Sequence, residues 1–179
     1  MRKAVLFLSV LTSPLWAQQQ QAAPAASAAN VSVNAAKGVW TLSSGFVQRA
    51  AEQMPESLYS FRPTPAIRSF GELVGHVADA QYMFCAAALG EKAPVTGSFE
   101  KDAKAKADLV KAVKDASAYC QRAYAMTDAA SSAGVKLFGM DMTKMGVLIL
   151  NGAHDYEHYG NMVTYFRLKG MVPPSSQGQ

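Results

Sequence analysis

The sequence predicts an all-α protein built as a single four-helix bundle. Three observations carry that expectation. Apolar residues recur at helical spacing in four long stretches, and Pro- or Gly-containing connections separate them. No convincing period-two alternation marks a strand. The chain has 179 residues, half of them hydrophobic, which suits one domain with a full core.

The first helix is expected over about 33–54, where Ala36, Trp40, Ser43, Val47 and Ala50 fall on one face. Trp40 reads as a core residue. Pro55, Pro63 and Pro65 then force an extended connection. In that connection Arg62 is a loop anchor or a contact for an anionic substrate. The second helix opens at Ser69. Its side chain can cap the helix, and Glu72 three residues later completes a capping-box pattern. The helix runs to about residue 89, where Gly90 supplies a stop. A loop with Pro94 and Gly97 follows. The third helix is expected over about 103–127, with Leu109, Val113, Ala116 and Cys120 on its apolar side. A loop with Ser131, Ser132, Gly134 and Gly139 leads to the fourth helix, about 142–168. That helix is apolar around most of its circumference, which predicts a central position.

The ends read differently. Met1, Arg2 and Lys3 precede a short apolar run over 4–11, and Ala17 is a cleavage candidate. This is the pattern of a secretory signal peptide over 1–17. The run is far shorter than the ~20 apolar residues a bilayer span takes. Residues 18–32 begin as a Gln-, Ala- and Pro-rich leader with no large apolar side chain before Val31, which predicts a flexible segment. Residues 173–179 form an extended tail, leaving 33–172 for the bundle. The mature protein is therefore expected in the periplasm or outside the cell, with no membrane attachment once the signal is removed. The net charge of +4 does not point to nucleic acid. Lysines over 101–114 are interleaved with Asp and Ala, as on a solvated helix face, and no basic stripe with aromatics appears.

Histidine is scarce: there are three. His154 and His158 are one helical turn apart, so both project from one face of the fourth helix. That face continues through Val147, Leu150, Asn161 and Tyr165 and is expected to point inward. His76 shares a largely apolar stripe of the second helix with Leu73, Ala80 and Met83. An unpaired buried polar group costs roughly 1–3 kcal/mol, so inward imidazoles need a partner. One divalent ion satisfies all three, with bonds of about 2.0–2.1 Å. Three protein ligands leave coordination positions open, unlike the closed four-ligand sites of structural zinc. The segment between His154 and His158 is Asp-Tyr-Glu, so the His-Glu-x-x-His protease pattern is absent.

These residues, with Phe61-Arg62-Pro63-Thr64-Pro65, Ser69 to His76, His154 to Asn161 and the closing Tyr165 to Ser176, resemble the DinB/YfiT-like superfamily of helical bundles. The resemblance spans about 35–176. It implies an up-down-down-up bundle and a mononuclear site of His76, His154 and His158, with zinc or nickel as the usual metal. The export signal departs from the cytoplasmic members and weakens any carry-over of their thiol-dependent transferase activity. The resemblance also implies parallel second and third helices. That would set Cys85 and Cys120 at similar heights, and a disulfide and a pair of buried free thiols both stand open.

Around the metal, Asp79 and Glu157 are the candidate catalytic carboxylates, each with an exposed, structural alternative. Tyr82, Tyr159 and Tyr165 are the candidate pocket residues, with core packing as the alternative. The function expected is a metal-dependent, hydrolase-like enzyme of a small substrate. A non-catalytic metal or small-ligand binding protein of the cell envelope is the alternative, and a homodimer is expected.

Overall fold

The computed structural model describes residues 30–103 and 105–178. The expected signal peptide over 1–17 lies outside the described residues. So does the leader over 18–32, apart from its last three residues.

Four long helices form the bundle: α1 (Val31–Gln53), α2 (Phe70–Leu89), α4 (Lys106–Ala123) and α6 (Lys144–Leu168). Two single-turn helices, α3 (Phe99–Asp102) and α5 (Asp128–Ser131), sit in the connections. Helix α1 starts within the expected leader. The Asp128 carboxylate accepts from the backbone N–H groups of Ser32 and Val33 at 3.0 and 2.8 Å, satisfying donors that a helix start leaves open. Helix α2 starts as expected, with the reciprocal Ser69–Glu72 capping box in place. Helix α4 is shorter than the expected third helix at both ends.

Side-chain contacts give the helix directions. Phe46 stacks on Tyr159 and Trp40 lies beside Gly152, so α1 and α6 run parallel. Phe70 meets Phe166 while Gln81 meets Asp155, so α2 and α6 run antiparallel. Leu109 abuts Gly71 and Ser117 bonds Gln81, so α2 and α4 run parallel. A disulfide joins Cys85 to Cys120 farther along the same two helices, and both residues are fully buried. The 35-residue separation corresponds to a chain-entropy stabilisation of about 3–4 kcal/mol.

The core has two apolar regions. One is built around Phe70, Leu73, Val77, Leu109 and Phe166, and the other around Trp40, Tyr124 and Leu148. A buried polar layer lies with them. Ser117 donates to Gln81 Oε1 and Gln81 Nε2 donates to Asp155 Oδ2, each at 2.9 Å, tying α4, α2 and α6 together.

Two expectations need correction. Residues 134–143 are not a plain loop. They form an antiparallel hairpin of β1 (Gly134–Leu137) and β2 (Met140–Thr143), pairing Gly134 with Thr143 and Leu137 with Met140. Phe138 and Gly139 make the two-residue turn, with φ of 53° and 77°. Positive φ at both positions is what a tight hairpin with matching twist requires. Because β2 takes Met142 and Thr143, α6 begins later than expected, with Thr143 as its cap. Nor is α6 enclosed all round. Ile149, Ala153, Tyr156 and Gly160 form an exposed stripe, so α6 lies between α1 and α2 with one side facing solvent.

Candidate metal centre

The antiparallel register of α2 and α6 brings the three histidines together. His154 Nε2 lies 3.2 Å from His76 Nε2 and 3.0 Å from His158 Nε2, and all three ligand atoms fall within 4.8 Å of one another. Across the 3.0 and 3.2 Å separations an ion bonded at about 2.0–2.1 Å subtends roughly 90–105°, near the tetrahedral angle. The three histidines could therefore hold one metal ion.

Protonation favours the same reading. His158 is 6% exposed and His154 is half-buried. Burial, with the neighbouring imidazoles adding to it, pushes both down to about 4. Both rings are neutral at pH 7, as ligands must be. His76 Nδ1 lies 2.9 Å from Glu100 Oε2. A proton on Nδ1 bonded to that carboxylate leaves the lone pair of His76 on Nε2, aimed at the other two rings. Lone pairs converging on one point repel each other, and a cation between them removes that repulsion.

Glu100 is not among the carboxylates that the sequence singles out, which are Asp79 and Glu157. Asp79 is engaged elsewhere. Its carboxylate accepts from Ser98 Oγ at 2.7 Å, Phe99 N at 2.9 Å and Glu100 N at 3.1 Å, and so holds the start of α3 against α2. Gly75 makes room for that contact. A Cβ there would lie 2.6 Å from Glu100 N and from Phe99 C, which no side chain tolerates. One turn of α2 thus carries the seat, the ligand and the clamp: Gly75, His76 and Asp79. The signal available in the sequence was the glycine inside an apolar helix with an acid four residues on. Glu100 is also bonded by Arg68 Nε at 2.9 Å. Burial raises the Glu100 carboxyl, but the bonds from Arg68 and His76 outweigh it and hold the group below its ordinary range.

A cleft of about 710 Å³ opens beside His158. Glu157 and Tyr165 line it, along with Arg62, Arg68 and Glu100. Tyr165 also donates to the Arg68 carbonyl, which fixes the backbone of that arginine. The other two tyrosines are not in this cleft. Tyr159 is buried against Phe46, and its hydroxyl accepts from Ser175 N. Tyr82 is buried between Phe99 and Tyr119 at a different cleft. Both face neighbours that helical periodicity alone does not identify. Arg62 is a loop anchor, donating to the Ile67 carbonyl and pairing with Glu72. On the far side of the histidines, Phe84 packs edge-on against His154, and Phe138 of the hairpin packs against Phe84.

Two predictions follow from the surroundings of the histidines. Glu100→Gln and Gly75→Ala each act on His76 without removing a ligand, and each is expected to weaken zinc binding roughly 10–100-fold. Competition with a chromophoric chelator measures this, and unchanged affinity in both variants contradicts the clamp. The second concerns pH in the metal-free protein. His154 and His158 titrate at about 4 when folded and near 6.5 when unfolded, so they remove stability as pH falls through that window. Burial pushes Asp155 up to about 8, so it removes stability as pH rises from its unfolded value toward 8. Two opposing one-proton histidine effects outweigh one aspartate effect below about 6.5, and the aspartate acts alone above it. Melting temperature should peak near pH 6.5. Asp155→Asn should abolish the decline from there to pH 8, and a decline that persists in this variant contradicts the assignment.

Comparison with known proteins agrees with this architecture. The family model described as the DinB superfamily matches residues 46–162, a span that contains all three histidines. A DinB-like protein from Bacillus cereus superimposes with a TM-score of 0.66 at 17% identity, over 78% of this chain and 93% of that one. A DinB-like protein from Bacillus subtilis gives 0.58 at 23% identity, over 76% and 93%. At these identities the likeness is one of fold. No curated protein matches the chain. With the family match covering most of the bundle and the histidine cluster inside it, the chain belongs to the DinB superfamily.

Proposed function

We propose that this protein is an exported, metal-dependent enzyme of hydrolase type, acting on a small substrate in the periplasm or outside the cell. The observation that supports this most is the convergence of three imidazoles, one of which, His158, lines an open cleft. Three imidazoles without a thiolate suit zinc or nickel, and leave room for a water or substrate atom. A divalent ion held there would supply Lewis acidity toward a carbonyl or a water. The chain's own residues divide the remaining work. His76, His154 and His158 hold the ion. Glu100 keeps the proton of His76 on Nδ1, and Asp79 keeps Glu100 in place. Glu157 is exposed on the cleft beside His158 and is the carboxylate free to take a proton from a water there.

The export part of the proposal rests on the basic and apolar pattern at the N-terminus. Among the described residues no helix is long and apolar enough to cross a membrane. One observation favours the second reading, a metal or small-ligand binding protein of the envelope. Of the two carboxylates read as catalytic from the sequence, Asp79 is fully engaged in holding α3.

Untagged protein is expected to carry about one divalent ion per chain by elemental analysis, one ion being what a mononuclear three-histidine site holds. His154→Ala should lose it. Turnover of some member of a panel of esters, amides and thiol acceptors should depend on added metal. Glu157→Gln should lower kcat by roughly 100-fold or more. A metal-loaded protein that is silent across the panel supports the binding protein, and a metal-free preparation with no affinity for zinc or nickel contradicts both readings.

A further inference from the structure

The cleft beside His158 is lined by two arginines in different states. Arg62 is committed: Nη1 donates to the Ile67 carbonyl at 2.8 Å and Nη2 to Glu72 at 2.6 Å. Arg68 is half-committed. Its Nε donates to Glu100 at 2.9 Å, and among the described residues no other hydrogen bond or ion pair involves its guanidinium. The two Nη groups therefore keep a two-pronged edge, which matches the two oxygens of a carboxylate. The edge hangs from a fixed point, because Tyr165 holds the Arg68 carbonyl and Ser69, the next residue, caps α2.

The charges on the cleft point the same way. Glu72 is paired with Arg62, and Glu100 with Arg68 and His76. With a divalent ion in place, the ion and two guanidinium groups exceed the carboxylates Glu72, Glu100 and Glu157 by one positive charge. One surplus charge suits a monoanion.

We infer that the ligand of this centre carries a carboxylate, which the free edge of Arg68 grips while another part of the molecule reaches the metal. The inference rests on the metal-centre reading above and adds the substrate class to it. Arg68 then does two things at once. Nε steadies the Glu100–His76 bond, and the Nη edge sets the distance between the acid group and the reacting atoms. Lysine could not do both, since it presents a single ammonium point.

The test uses the zinc-loaded full chain and hydroxamates, which bind metal through the hydroxamate group. Acetohydroxamate is compared by calorimetry with the monohydroxamates of malonic, succinic and glutaric acid, which add a carboxylate at increasing reach. At least one of the three is expected to bind roughly 10–100-fold more tightly than acetohydroxamate. In protein kept saturated with zinc, Arg68→Gln should erase that preference, bringing the carboxylate-bearing compounds to the affinity of acetohydroxamate in the same variant, while Arg62→Gln should retain the preference. If Arg68 serves only to hold Glu100, its variant changes metal affinity but not the preference, which overturns the inference. Equal binding of all four compounds by the wild-type protein also overturns it, with the metal centre still standing. Failure of every hydroxamate to bind, with no zinc retained, overturns the metal centre and this inference together.

Discussion

The register between α2 and α6 is the constraint on which the centre depends. His76 comes from one helix and His154 and His158 from the other, and functional groups must be held to within about half an ångström. A slip of one helical position would rotate the His76 ring by roughly 100° and carry it out of reach. The register is pinned on both sides of His76 along α2. Toward the start of α2, Phe70 packs edge-on against Tyr165 and Phe166, contacts worth about 0.5–1.5 kcal/mol each beyond burial. Toward its end, Gln81 bonds the fully buried Asp155. The disulfide then ties α2 to α4 farther on, which stiffens the same helix from behind.

Register alone does not orient an imidazole. That task falls to a connecting segment, not to the bundle. The single turn of α3 rests on Gly75, is capped by Asp79, and delivers Glu100 to His76. The arrangement forms a chain of dependence: an acid that never faces the histidines fixes a backbone, and that backbone places the acid that does. Arg68 closes the chain from the other side. The hairpin works similarly on the opposite wall, where Phe138 backs Phe84 against His154. Phe138 holds a φ of 53° and is 62% exposed. A bulky residue rarely adopts that conformation, and here the tight turn demands it.

Much of this was legible in the sequence. The capping box at Ser69, the end of α2 at Gly90 and the one-turn spacing of His154 and His158 are local patterns, and local physics sets them. What was not legible depends on contacts between distant segments. Glu100 lies in a loop with no periodicity, and only the fold-back over Gly75 brings it to His76. Asp79 lies about one turn from His76 in the sequence, yet its partners come from residues 98–100. Tyr159 and Tyr82 are both buried, but whether a buried face meets a cavity or a neighbouring helix is a tertiary fact. The hairpin was missed because its strands are four residues long and its turn is Phe-Gly, where Asn-Gly would have been the recognisable signal.

The account stands or falls on whether a single ion is ligated by three imidazole nitrogens. X-ray absorption at the zinc edge of the zinc-loaded, untagged protein measures that directly. The result predicted is a first shell of nitrogen and oxygen at about 2.0–2.1 Å, three of its members showing the outer-shell scattering of imidazole rings, with no sulfur at ~2.3 Å. One imidazole or none in that shell would contradict it, and the helix register would then serve the stability of the bundle alone.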